Sequence, residues 1–165
     1  MALVESGFAN LRKQIVNGVN FGIPVVVAIN SFVTDTDAEI ELIKRLSLEA
    51  GAVDAVLCTH WADGGAGAAQ LAEAVLEAAE SESRFAFTYP LDWSIEEKIR
   101  AIARDIYGAD DIELSPTARQ NIDQFTAQGY DKMPICMAKT QYSLSHDPAK
   151  KVTTRRMTAL FHLII

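Results

Sequence analysis

The sequence is short of the features that mark secreted, membrane-spanning and nucleic-acid-binding chains. Its two cysteines, Cys58 and Cys136, stand far apart with no C-x-x-C spacing, so neither a disulfide framework nor a cysteine zinc site is legible. No signal-peptide pattern occupies residues 1–10. Both thiols are therefore expected buried and reduced, in the cytoplasm or, alternatively, in the mitochondrion. No apolar run approaches the roughly 20 residues of a membrane helix; the longest, residues 23–29, contains Pro24 and has strand length. Basic charge is scarce as well, with 15 Lys and Arg against 22 Asp and Glu. An acidic body lacks the basic stripe that neutralises phosphates, so neither a nucleic-acid nor a membrane partner is expected.

The charge is also uneven. All 22 acidic residues and 11 of the 15 basic ones lie in residues 1–148, a net −11, whereas 149–165 carries Lys150, Lys151, Arg155 and Arg156 with no acid, a net +4. The tail is compositionally foreign to the body. At 165 residues, 49% of them hydrophobic, the chain is long enough to bury a core and too apolar for general disorder.

Apolar residues at Val4, Phe8, Leu11, Ile15 and Val19 follow a helical period and predict a helix over 2–19. Residues 24–29 are continuous and β-branched, which predicts a strand buried on both faces, as in parallel sheets. Thr36-x-x-Glu39 and Ser94-x-x-Glu97 are capping boxes that start helices. The second helix carries Ile95, Ile99, Ile102 and Ile106 as its apolar stripe. Ser115-Pro116 opens another helix, which ends at Gly129. Further strands are expected at 52–59, 85–89 and 134–138, with a helix over 71–80. Strands alternating with helices specify βαβ units, hence an α/β fold with a mostly parallel sheet and flanking helices. Ligands in such sheets sit beyond the carboxyl ends of the strands. Four segments lie there: residues 30–36, 60–67, 89–93 and 139–146.

In the first, Asn30-Ser-Phe-Val-Thr-Asp-Thr36, Phe32 is either a ring tucked under the next helix or a wall for a flat ligand. Its likeness to the Asn-Lys-x-Asp guanine loop is weak, since Ser31 replaces the lysine. The second, His60-Trp-Ala-Asp-Gly-Gly-Ala-Gly67, has three glycines in four positions and reads as a tight strand-to-helix turn ahead of a phosphate cradle. It lacks the lysine and hydroxyl of a Walker loop. Trp61 carries an N–H that needs a partner, and across adjacent strand ends it would face Phe32. Two such rings suit a planar heteroaromatic ligand. His60, His146 and His162 show no metal-ligand spacing, so no metal site is expected and no catalytic residue is legible. The acidic pairs Glu96-Glu97 and Asp110-Asp111 read as solvated helix ends. Lys139 and the hydroxyls that follow it either hold an anionic group or cap the next segment.

Five separated stretches carry a resemblance. Phe21-Gly-Ile-Pro-Val-Val-Val-Ala-Ile-Asn30, Thr34-Asp-Thr-Asp-Ala-Glu39, Trp61-Ala-Asp-Gly-Gly65, Glu97-Lys-Ile with Ile106-Tyr-Gly-Ala109, and Met137-Ala-Lys-Thr-Gln-Tyr-Ser143 closely resemble formate–tetrahydrofolate ligase, collinearly over residues 5–151. The resemblance implies part of that family's P-loop-like α/β fold. It also implies an ATP- and magnesium-dependent reaction joining formate to tetrahydrofolate through formyl phosphate, with 10-formyltetrahydrofolate, ADP and phosphate as products. In the family the pterin ring lies between a phenylalanine and a tryptophan, which match Phe32 and Trp61. Asn30, Asp35, Gly64 and Gly65 are then candidate polar contacts. Val33 stands where some members have proline.

The family's ATP loop, G-x-K-G-G-A-A-G-G-G-Y, is absent from this sequence, and 152–165 bears no resemblance to the family. The expectation is a partial synthetase region over 1–151 with a divergent tail over 152–165, unable to complete the reaction alone. One alternative is an inactive interaction protein that forms homo-oligomers or joins full-length synthetase subunits. The other is a self-sufficient nucleotide-binding domain.

Overall fold

The computed structural model describes residues 2–137 and 157–159. Two compact units divide the chain, residues 1–86 and 87–165.

The first unit is a βαβ arrangement. Helix α1 (Ala2–Asn20) leads to strand β1 (Val26–Asn30), helix α2 (Asp37–Glu49), strand β2 (Asp54–Cys58), the short helix α3 (His60–Asp63), a 3-10 turn (Gly64–Ala68) and helix α4 (Ala69–Glu80). The strands run parallel, with Val26 opposite Asp54 and Asn30 opposite Cys58. Helix α2 starts as expected: the Thr36 hydroxyl accepts the Glu39 N–H while the Glu39 carboxylate accepts the Thr36 N–H. The core joins Phe8 and Ile15 of α1, Val27 and Ile29 of β1, and Leu42 and Leu46 of α2 to Ala52 and Ala55.

Alternation in a strand sends neighbours to opposite faces. Val56 and Cys58 are buried as well as Ala55, so β2 is covered on both sides, with α4 against it. On β1 the expected two-sided burial is not met. Ala28 and Asn30 are exposed, because α1 and α2 cover one face and the other is more open. Gly22, at φ 71°, closes the approach to β1, and a Cβ there would lie 2.1 Å from the Arg84 carbonyl oxygen. That carbonyl is held close because the Arg84 N–H donates to Gly22 O at 3.3 Å and the Ala86 N–H donates to Phe21 O at 3.1 Å.

The second unit has helix α5 (Ile95–Asp105), strand β3 (Ala109–Ile112), helix α6 (Pro116–Ala127), a 3-10 turn (Tyr130–Lys132) and strand β4 (Met157–Ala159), which pairs parallel to β3. Strand β3 is unexpected, and β4 falls in the basic tail. Asp110 and Asp111 therefore belong to a strand rather than a helix end, and Arg100 pairs with both Glu96 and Asp111. The expected strands at 85–89 and 134–138 are not formed among the described residues. One side chain does the work of a ladder instead: the Tyr89 hydroxyl accepts the Ile135 N–H at 2.8 Å and donates to Ile135 O at 3.3 Å. Lys98, on the apolar face of α5, is fully buried and donates to the carbonyls of Asp131 and Met133. Cys58 is buried but Cys136 is exposed, against the expectation of two buried thiols; both are free. The segment at 139–146, with Lys139 and His146, and also His162, lie outside the described residues.

Candidate functional site

The parallel pairing of β1 and β2 puts their carboxyl ends side by side, so the loops leaving Asn30 and Cys58 are neighbours. The Ser31 N–H continues the ladder, donating to Cys58 O at 3.1 Å. One residue later Phe32 projects from a turn closed twice by Asp35. Its N–H donates to the Asp35 carboxylate at 2.8 Å, and the Asp35 N–H donates to Phe32 O at 3.0 Å. Trp61 projects from α3. Its indole N–H donates to Ser31 O at 2.7 Å, which supplies the partner its sequence position demands.

The two rings meet, with centroids 6.3 Å apart and planes inclined by 24°. Phe32 is 60% and Trp61 57% exposed. Phe32 is thus not tucked beneath the following helix, and the pair forms an apolar platform open to solvent. Since Ser31 holds the indole and is bonded to Phe32, both rings ride on one short stretch of chain.

The other candidates have distinct surroundings. Asn30 is the exposed last residue of β1. Gly64 adopts φ 59°, and neither Gly64 nor Gly65 has any atom within 4 Å of the place a Cβ would occupy. Their backbone is therefore open to approach. Gly67 is the glycine the turn requires. Its Cβ would lie 2.6 Å from the Thr59 carbonyl carbon and 2.8 Å from His60 N, while its own carbonyl accepts the Thr59 N–H at 3.0 Å. Residues 60–67, expected as a loop, thus fold into α3 and the 3-10 turn, because the glycine run lets the chain double back onto Thr59. The Thr59 amide is spent on Gly67 O, and no lysine follows the turn, so it has no counterpart of a Walker loop's phosphate-holding side chain. Among the described residues no group of three or more His, Cys, Asp or Glu side chains offers a metal ligand set.

Two features of this region escape the sequence pattern. The Cys58 Sγ lies 3.1 Å from His60 Nδ1, although the i, i+2 spacing across a strand end was its only signal. The Ser31 carbonyl, which holds Trp61, carries no side-chain signature at all.

The family model of formate–tetrahydrofolate ligase matches residues 1–160. The chain belongs to that family. It is 60% identical over 149 residues to mouse cytoplasmic C-1-tetrahydrofolate synthase and 58% identical over 151 residues to the human protein of the same name. To mouse mitochondrial monofunctional C1-tetrahydrofolate synthase it is 56% identical over 156 residues. These matches cover 90%, 92% and 94% of the chain but 16% of each relative. The chain therefore spans about a sixth of the length of these relatives, which carry both cytoplasmic and mitochondrial names.

Proposed function

We propose that this chain supplies the pterin-stacking wall of a formate–tetrahydrofolate ligase, the ATP-dependent enzyme that makes 10-formyltetrahydrofolate in one-carbon metabolism. Phe32 and Trp61 hold the ring between them. Asn30 and the open Gly64–Gly65 backbone provide polar contacts at its edge, and Asp35 acts first by holding the Phe32 turn. The observation that carries the reading is the exposed ring pair at the carboxyl ends of adjacent parallel strands. Joining formate to tetrahydrofolate, with ATP and magnesium, is the work of a whole ligase; the turn at Thr59–Ala69 is not assigned to phosphate.

A ring inserted between two others needs about 3.5–4 Å on each side, hence roughly 7–8 Å between the outer rings. The present 6.3 Å separation opens by about 1 Å or more when the ligand enters. Phe32 is the ring suited to move, because its side chain turns about its own bonds without a hydrogen bond to break, whereas the indole N–H is held by Ser31 O.

Titration with tetrahydrofolate, followed by Trp61 fluorescence in a Trp93→Phe background, tests the reading. Binding should quench Trp61, and Phe32→Ala, monitored by the same emission, should weaken affinity about tenfold or more. Absence of quenching in folded protein would sink the pterin site. So would calorimetric affinity unchanged in Trp61→Ala.

A second reading, an inactive partner of full-length synthetase subunits, draws on a groove of about 390 Å³ lined by Ile23, Pro24, Val26, Val75, Ala78 and Ala79. Exposed apolar patches of this kind recruit partners. Size-exclusion chromatography with light scattering decides it: a monomer that ignores added synthetase contradicts association.

A further inference from the structure

The Cys58–His60 contact joins the interior of the first unit to the turn that carries Trp61. Cys58 is 2% exposed and closes β2, a strand covered on both faces, so its sulfur is a fixed point. His60 is exposed and begins α3, directly before Trp61. Their Sγ···Nδ1 separation of 3.1 Å ties an exposed imidazole to that fixed point.

The start of the turn is fixed at Thr59: the Ala62 and Asp63 N–H groups both donate to Thr59 O at 3.0 Å, and the Thr59 N–H donates to Gly67 O at 3.0 Å. Gly67 packs behind Thr59 and the His60 amide. Four helical residues are far too few for intrinsic helix stability, and their direction has to come from contacts like these. Trp61 itself is held at the indole N–H by Ser31 O, on the residue directly bonded to Phe32. A second anchor, independent of that residue, keeps the indole in place while Phe32 moves.

We propose that Cys58 and His60 form a positioning pair that preorganises Trp61 for stacking a planar heteroaromatic ligand. This rests on the pterin reading above in its ligand-binding part, and on the turn geometry alone in its ligand-free part. A receptor ring held in its bound orientation loses less freedom on binding. The pair does this without touching the ligand.

The variants follow from atomic position. An asparagine side chain places a polar atom near histidine Nδ1, whereas glutamine reaches toward the Nε2 position. In the full chain with Trp93→Phe, His60→Gln and Cys58→Ala should lower the steady-state anisotropy of ligand-free Trp61 and weaken tetrahydrofolate binding about three- to tenfold. His60→Asn should restore both. Far-UV circular dichroism and thermal melting identify variants that keep the fold. If Cys58→Ala does not keep it, Cys58→Ser and the His60 series carry the test.

Unchanged anisotropy and affinity in folded His60→Gln overturn the positioning role while leaving the pterin site standing. Equal losses in His60→Asn and His60→Gln overturn it too, since they indicate general loosening rather than a specific Nδ1 contact. If Trp61→Ala leaves calorimetric affinity unchanged, the pterin reading falls. The ligand-free anisotropy series then still decides whether His60 orients the indole.

Discussion

The two units hold their distant segments together by different means. In residues 2–86 most joins are main-chain ones, with the Trp61 indole on Ser31 O as a side-chain addition: the β1–β2 ladder, Ser31 to Cys58, Thr59 to Gly67, Arg84 to Gly22 and Ala86 to Phe21. In residues 87–137 they are side chains reaching to backbone. Lys98 holds the carbonyls of Asp131 and Met133, Tyr89 holds both polar groups of Ile135, and Lys132 reaches Asp92 O. A main-chain join tolerates many side chains but demands backbone shape. A side-chain join tolerates loose backbone and fails when one residue is lost. The exposed ring pair lies in the first kind of unit, where the strand ladder fixes the loops that carry it.

This contrast is broken most severely at Gly22. A Cβ there meets the Arg84 carbonyl oxygen at 2.1 Å from a residue already at φ 71°. Gly22→Ala combines a left-handed penalty with a backbone clash, and should cost the first unit about 3–5 kcal/mol. Hydrogen exchange resolved by segment checks it: α1, β1 and β2 should lose protection while α5 and α6 keep theirs. Equal loss in both units would show that stability is shared, and the contrast would fall.

Lys98 is the matching point in the second unit. Lys98→Met keeps the length and the apolar stem but leaves the Asp131 and Met133 carbonyls without their charged donor, a loss of about 1–3 kcal/mol. Urea unfolding followed by Tyr89 and Trp93 signals measures it. The substitution should loosen 130–137 first, since those carbonyls belong to that segment. A neutral outcome would mean that methionine packing compensates and that the ammonium is not the join.

The same contrast explains what the sequence discloses. Elements driven by apolar period or capping chemistry are legible: α1 from Phe8 and Ile15, α2 and α5 from their capping boxes, α6 from Ser115-Pro116, β1 and β2 from their apolar runs. The pairing of Phe32 with Trp61 follows from two parallel strands ending together, and the indole N–H does find a partner. Joins made by a single side chain have no periodic signature, so 85–89 and 134–138 read as strands although Tyr89 and Ile135 substitute for a ladder. Lys98 was readable in principle, because position 98 falls between Ile95 and Ile102 on the apolar stripe, where an ammonium needs buried acceptors. Strand β3 is hidden by its composition, since Asp110 and Asp111 are poor strand formers. Asp35 shows two readings at the site: its position beside the ligand loop offers a polar contact, and its carboxylate also closes the Phe32 turn by accepting the Phe32 N–H.

The smallest effects sharpen the contrast at the one device both units share. The capping boxes at Thr36–Glu39 and Ser94–Glu97 are built alike, and in each the glutamate's pKa is held below its usual value, first by the side-chain hydrogen bond from Thr36 or Ser94 and next by that residue's backbone N–H. Thr36→Ala and Ser94→Ala should each cost about 1 kcal/mol, felt in α2 and α5 respectively. The sign of the pH dependence follows from the lowered values. Each carboxylate favours the folded state above its unfolded pKa, and the contribution disappears as pH falls through the lower folded value. Thermal melts from pH 6 downward should therefore show wild type losing its margin over the Thr36→Ala/Ser94→Ala double variant below about pH 4.5, the ordinary glutamate value. A margin that persists unchanged at low pH would assign the caps' contribution to the hydroxyls alone. Segment-resolved hydrogen exchange that shows the margin lost in α5 at a higher pH than in α2 would show that the same box is held more tightly where the main chain makes the joins, and the reverse order would show the opposite.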